Sequence, residues 1–283
     1  MMQLRAALDH GAARLSAGPH PERASRDAEI LLIHLTGKNR AWLVAHGTDE
    51  VGGCTAIGYA NLLERRFAGE PIQYITGEVE FFGLPFHVTR DVLIPRPETE
   101  HLVEKAIAIA AEFPSPRIVD IGTGSGAISV ALAHHVPDSH ITAIDLSPAA
   151  LRIAEGNAHL NGVAERVRFL VGDLLAPVAD ESFDIVVSNP PYVPERDGPS
   201  LAVEVRAYEP ELALFGGFDG LEKYRRLIPA AALALRAGGY LVLEIGFGQE
   251  KAVNQLLRAN GYQRIDGSPD LQGITRVLCG QRR

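Results

Sequence analysis

Four consecutive residues, Asn189, Pro190, Pro191 and Tyr192, carry the most specific chemistry in the chain. They follow "FDIVV" (183–187), an apolar run that reads as a buried strand, and the two prolines prevent that strand from continuing. The side-chain oxygen of Asn189 is a hydrogen-bond acceptor. So is the carbonyl of Pro190, a residue with no N–H of its own. Two acceptors held by rigid rings suit a particular task. A planar amide or aryl-amine nitrogen is a poor nucleophile, because its lone pair is delocalised. Acceptors on its two N–H groups draw it toward a tetrahedral shape and free that pair. The ring of Tyr192 can lie on the flat face of the same group. The plainer alternative is a Pro-Pro loop with a capping asparagine.

A second group of residues lies upstream. "DIGTGSGAISVALA", from Asp120, joins a strand to a helix through Gly122, Thr123, Gly124, Ser125 and Gly126. The glycines allow a tight turn and close approach of a ligand, and the helix N-terminus behind them presents unpaired N–H groups. The spacing is G-x-G-x-G rather than the G-x-G-x-x-G of dinucleotide sites, which suits a ligand without a pyrophosphate. Asp145 ends the strand "HITAID", 23 residues after Gly122. A carboxylate there can accept hydrogen bonds from both hydroxyls of a ribose. It can also be a helix N-cap, although Ser147 is placed to take that role instead. Asp173, at the end of "VRFLVGD", can accept from an adenine amino group while Leu174 packs on the ring. The plain reading of that pair is a turn acid and a core leucine. All three strand ends fall on one edge of an α/β sheet, where ligands bind. Together they imply a nucleoside cofactor with the reacting nitrogen beside it.

The elements that position these residues follow from periodicity. Residues 1–75 show apolar residues at helical spacing in "QLRAALDHGAARLSA", "ERASRDAEILLIHLTG" and "AIGYANLLERRFAGE", with Gly37 as a helix stop. They form a small helical domain, expected to serve in recognition. Residues 76–95 contain "FFGLPF", which predicts a β-hairpin linker turning at Gly83–Pro85. Residues 96–283 alternate strand and helix, ending in two short strands, "YQRID" and "TRVLCG". The expected fold is therefore α/β: a doubly wound, mostly parallel sheet with helices on both faces.

Bulk properties narrow the function. The net charge of −8 argues against strong non-specific nucleic-acid binding. Cys54 and Cys279 make no metal-ligand spacing, and neither do His134 and His135, so no metal is expected. No apolar run reaches membrane-spanning length and no signal peptide opens the chain. A reduced, cytoplasmic protein is expected, with monomer as the default state.

The glycine loop, the two acids and "NPPY" resemble those of class I methyltransferases that use S-adenosylmethionine and methylate amino or amide nitrogens. A narrower resemblance runs through "PIQYITGEVEFFGLPFHVTRDVLIPRPETEHLVE", "DIGTGSGAI", "SNPPY" and "YEPELALFGGFDGL". These are similar to the release factor glutamine methyltransferases, and the likeness covers nearly the whole chain. That resemblance implies methylation of the side-chain amide nitrogen of the glutamine in the GGQ motif of class-1 peptide release factors. It implies cofactor contacts from Gly122, Thr123, Gly124, Ser125, Gly126, Asp145, Asp173, Leu174 and Asn189. It implies a substrate site of Asn189, Pro190, Pro191 and Tyr192, with Asn189 and Pro190 catalytic. Some relatives have an aromatic where Leu174 stands. Arg96, Glu98 and Thr99 of "RPETE" border the same pocket or merely start a helix. The rivals are a glutamine methyltransferase for ribosomal protein L3, an RNA or DNA amino-group methyltransferase, and a non-catalytic cofactor-binding protein. A stable nucleic-acid complex is not expected.

Overall fold

The computed structural model describes residues 2–270 and 272–283. The chain separates into two compact units, Met1–Gly77 with Leu201–Tyr208, and Glu78–Ser200 with Glu209–Arg283.

The first unit is helical: α1 (Leu4–Ser16), α2 (Ala24–Thr36), α3 (Arg40–Ala45), α4 (Gly53–Phe67), α5 (Ile72–Thr76) and α9 (Val203–Tyr208). Helical spacing gathers Ala28, Leu31 and Leu32 of α2 into one buried stripe. It shares a core with Leu4, Ala7 and Leu15 of α1 and Tyr59 and Leu63 of α4. Helix α2 stops at Gly37, whose φ of 64° is the left-handed value that glycine takes without strain. Arg66 of α4 is buried and donates to Asp27 of α2 at 2.6 Å and to Glu204 of α9 at 3.1 Å. A buried cation needs such partners. This pairing, with the Tyr208 hydroxyl donating to the Ala68 carbonyl at 3.1 Å, draws residues 201–208 into the helical unit. Sequence analysis assigned them, within 96–283, to the other domain, because the partner charges lie far away along the chain.

The second unit begins with a hairpin of β1 (Glu78–Phe81) and β2 (Leu84–His87). Its turn is Phe82–Gly83, both at positive φ (52° and 73°), one residue earlier than expected. Pro85 lies inside β2 opposite Glu80, tolerated because a two-stranded ribbon leaves that side without a ladder partner. Seven further strands form one sheet: β3 (Arg117–Ile121), β4 (His140–Asp145), β5 (Val167–Val171), β6 (Phe183–Ser188), β7 (Leu235–Glu244), β8 (Tyr262–Pro269) and β9 (Thr275–Arg282). The order is β5-β4-β3-β6-β7-β9-β8, parallel through β7 and antiparallel for β9 and β8. The remaining helices are α6 (Glu100–Ala110), α7 (Ala127–His135), α8 (Pro148–Leu160), α10 (Glu211–Leu214), α11 (Glu222–Ala234) and α12 (Glu250–Ala259). Two apolar clusters cover the two faces of the sheet. One is built on Leu102, Leu132 and Ile118, the other on Tyr224, Leu227 and Val186. Helix α11 ends at Ala234, and strand β7 starts at Leu235, paired with Phe183 of β6, because pairing inside the sheet outweighs local helix propensity.

Candidate active site

Register decides where the site lies. Ile121 of β3 stands opposite Ser188 of β6, so the glycine loop and Asn189 leave the sheet side by side. Strands β4 and β5 lie on one side of β3 and β6 on the other, and this reversal of strand order opens a crevice at the carboxyl edge. A cavity there is lined by Gly122, Gly124, Asp145, Asp173, Leu174, Asn189, Pro190 and Pro191. Those residues lie up to 69 positions apart in sequence, and the fold brings them to one wall. Thr123, Ser125, Gly126 and Tyr192 do not line it.

Each of the four has a definite place instead. The Thr123 hydroxyl donates to Oδ2 of Asp120 at 2.7 Å, and Ser129 of α7 donates to the same oxygen at 2.7 Å. The Ser125 carbonyl accepts from Nδ2 of Asn157 at 2.8 Å. Gly126 caps α7 at φ 79°, and a Cβ there would stand 3.0 Å from that of Ala154, so only glycine lets α8 approach. These three shape the loop from beneath. Tyr192 turns its hydroxyl to Oε1 of Glu244 at 3.4 Å and packs against the apolar cluster of Leu227 and Leu243.

Gly122 and Gly124, at φ 73° and 56°, have nothing within 4 Å of an added Cβ. Asp145 accepts the Gly124 N–H on Oδ2 at 2.9 Å and the Ser147 N–H on Oδ1 at 2.9 Å. Ser147 itself caps α8, accepting the Ala150 N–H at 3.1 Å, so Asp145 is not the cap. Its carboxylate is instead fastened to the glycine loop at the cavity wall. Asp173 is paired with Arg226 of α11, and Leu174 holds φ 52°, a strained value for a side chain with a Cβ. Gly124 and Leu174, both at positive φ, thus line one cavity.

Several functional residues escaped sequence reading. Asp120 is fully buried under the loop, its Oδ1 without a hydrogen-bond partner among the described residues. Burial, reinforced by the charge of Asp145, pushes its carboxyl up to about 6. Asn157 ties the loop to the hairpin by donating to the carbonyls of Ser125 (2.8 Å) and His87 (2.9 Å). Gln249 accepts the Gly246 N–H at 3.0 Å and donates to the carbonyls of Tyr192 (3.0 Å) and Gly220 (3.3 Å). Asp91, Leu93, Leu212 and Lys223 also line the cavity. The usable signal was an acid inside an otherwise apolar strand: Asp120 in "RIVDI" and Glu244 in "YLVLEIG".

Comparison with known proteins decides the family. The model of the PrmC N-terminal domain matches residues 6–77, and that of the methyltransferase small domain matches residues 99–205. A release factor glutamine methyltransferase of Moorella thermoacetica is 45% identical over 283 residues, 100% of this chain and 99% of that one. One from Deinococcus radiodurans is 41% identical over 99% of both chains. This chain belongs to the release factor glutamine methyltransferases. Among solved structures, the hMettl16 catalytic domain, determined with an RNA hairpin, aligns at TM-score 0.59 and 15% identity over 86% of this chain and 92% of that one. A methyltransferase from Pyrococcus furiosus aligns at TM-score 0.53 and 19% identity over 71% and 90%. Both share the class I methyltransferase fold expected from the sequence. The assignment favours a release factor glutamine methyltransferase over the L3-directed, nucleic-acid-directed and non-catalytic alternatives.

As a release factor glutamine methyltransferase, the chain is an enzyme that uses S-adenosylmethionine, and the cavity fits that cofactor. Gly122 and Gly124 leave a cradle that a Cβ would fill, and Asp145 is fixed beside it by the Gly124 N–H. Of the "RPETE" residues, Arg96 pairs with the buried Glu209 at 2.5 Å. Pro97 opens a helical turn, Pro97–Thr99, that includes Glu98. Thr99 reaches the site. Its Oγ1 accepts from Nδ2 of Asn189 at 3.1 Å and donates to Oε2 of Glu244 at 2.6 Å. In this release factor glutamine methyltransferase no helix among the described residues is long and apolar enough to cross a membrane.

Proposed function

We propose that this chain transfers a methyl group to the side-chain amide nitrogen (N5) of the glutamine in the GGQ motif of class-1 peptide release factors. One observation carries the assignment of roles. The amide nitrogen of Asn189 is committed to Thr99, so its oxygen is the arm left for the cavity, on the wall it shares with Pro190. In the proposed mechanism that oxygen and the Pro190 carbonyl accept the two N–H groups of the incoming carboxamide. Developing positive charge on nitrogen strengthens both bonds, so they favour the transition state over the ground state. When bound, S-adenosylmethionine supplies a methyl on a positively charged sulfur. The residues assigned to hold it are Gly122, Gly124, Asp145, Asp173, Leu174 and Asn189 on the wall, with Thr123, Ser125 and Gly126 fixing the loop. Pro191 keeps the acceptors rigid. The role for Tyr192 shifts from stacking on substrate to anchoring the loop, in keeping with its bond to Glu244.

The helical unit, residues 1–75 in the expected division, is assigned to recognition of the release factor, and the hairpin segment 76–95 to joining it to the catalytic part, 96–283. The enzyme is taken to work as a cytoplasmic monomer without a stable nucleic-acid complex. Incubation with methyl-labelled S-adenosylmethionine and purified acceptors tests the reading. Label is expected in a class-1 release factor and lost when the GGQ glutamine is replaced by alanine. Label in ribosomal protein L3 or in RNA instead, or in no acceptor, overturns it.

A further inference from the structure

Glu244 is the last residue of β7, and 2% of its surface is exposed. An acid in that position needs donors, and two hydroxyls supply them: Thr99 at 2.6 Å on Oε2 and Tyr192 at 3.4 Å on Oε1. Thr99 also meets the amide of Asn189. The relay thus runs from a buried carboxylate, through one hydroxyl, to the side chain that faces the cavity.

Proton counting fixes its direction. An ionised carboxylate only accepts. The single Thr99 proton is then committed to Glu244, and toward Asn189 the hydroxyl can only accept. The Asn189 NH2 must therefore face Thr99, and its oxygen is presented to the cavity. A protonated Glu244 inverts the relay. A carboxylic O–H donor requires a short contact, so the proton belongs on Oε2, at 2.6 Å from Thr99, rather than on Oε1 at 3.4 Å from Tyr192. Thr99 then accepts a hydrogen bond from the Glu244 O–H, which frees its own proton to point at Asn189. Accepting that proton turns the amide over, placing NH2 where the substrate N–H arrives.

We propose that Glu244, acting through Thr99, is a positioning residue that holds Asn189 in its acceptor orientation, and that protonating Glu244 turns this acceptor off. The proposal rests on the role given to Asn189 above. Other groups around Glu244 are Glu98, which disfavours its charge, and Arg276, which favours it. The Tyr224 hydroxyl donates to its main-chain carbonyl at 2.9 Å. Arg96 acts on the neighbouring Tyr192. Burial dominates these and pushes the Glu244 carboxyl up to about 7, which brings the switch into the working range of pH.

The test has a readout that needs no acceptor. In the full-length 15N-labelled protein, the Asn189 side-chain NH2 signal, identified by its loss in N189D, is followed from pH 5.5 to 8.5. One transition is expected in the wild type and none in E244Q. A signal that does not move, or that moves alike in both, overturns the relay. Kinetics of methyl transfer to an unmethylated release factor give the second arm. T99V is expected to lower kcat roughly 100-fold with cofactor affinity by calorimetry unchanged, and T99S to recover most of it. The acid limb of the wild-type kcat profile is expected to flatten in E244Q. A T99V enzyme with normal kcat overturns the relay as well. A wild-type enzyme that labels no release factor overturns the proposed function instead, and the NMR titration still decides the relay.

Discussion

Replacing Asp120 by asparagine should make the folded chain more stable, and the gain should grow with pH. Asp120 is fully buried, and its carboxyl is raised from 3.8 to about 6, chiefly by burial. A raised carboxyl makes the folded state hold its proton more tightly than the unfolded state does. Its stabilising contribution is therefore complete below pH 3.8 and is lost as pH rises through about 6. At 1.36 kcal/mol per tenfold change, the full loss is about 3 kcal/mol, roughly half of it between pH 5 and pH 8. Asparagine keeps the size and one acceptor oxygen for the Thr123 and Ser129 hydroxyls, and it does not titrate. The stability difference between D120N and wild type should thus rise by about 1.4 kcal/mol from pH 5 to pH 8. Taking the difference cancels the titrating groups that do not interact with Asp120. Urea unfolding of both proteins, followed by far-UV circular dichroism at the two pH values, measures it. A difference that is constant or shrinks with pH would show that Asp120 is not held as a buried, reluctant acid, and the account of the loop would fail.

Three further outcomes are expected. Asn189→Ala should lower transfer to a release factor roughly 100-fold or more, far more than it weakens cofactor binding in calorimetry, because one acceptor aimed at the reacting nitrogen is gone while the other wall residues still hold the cofactor. Leu174→Gly should be at least as stable as Leu174→Ala in thermal unfolding. Both lose the leucine contacts, but glycine also relieves a φ of 52°, worth about 1 kcal/mol. Gln249→Ala should reduce kcat about 10-fold with little change in cofactor binding, since it unties the Tyr192 and Gly220 carbonyls and frees the loop that carries the acceptors.

Much of this was legible in the sequence, for identifiable reasons. "HITAID" became β4 with its expected bounds, because it is an apolar run of strand length set between strong punctuation. That Gly122, Gly124, Asp145 and Asn189 meet at one cavity was legible because strand ends on one edge of a parallel sheet converge. The bond from Tyr192 to Glu244 was not legible, because nothing in the local sequence reveals a buried acid 52 residues away. Thr99 stayed ambiguous for the same reason. Its helix-start role is local, and its bond to Asn189 spans 90 positions. Asp27, Arg66 and Glu204 look like ordinary surface charges until the fold buries them together.

The excursion of residues 201–208 bears on how the protein is made. The helical unit is not yet complete when its first 77 residues emerge from the ribosome, because Glu204 and Tyr208 are translated only after about three-quarters of the chain. Until then Arg66 waits for half of its carboxylate escort. A version starting at Glu78 would carry the opposite defect, an eight-residue stretch, Leu201–Tyr208, stripped of its docking partners. The two units are interlaced along the polypeptide rather than strung like beads, so neither can be cut away cleanly from the other.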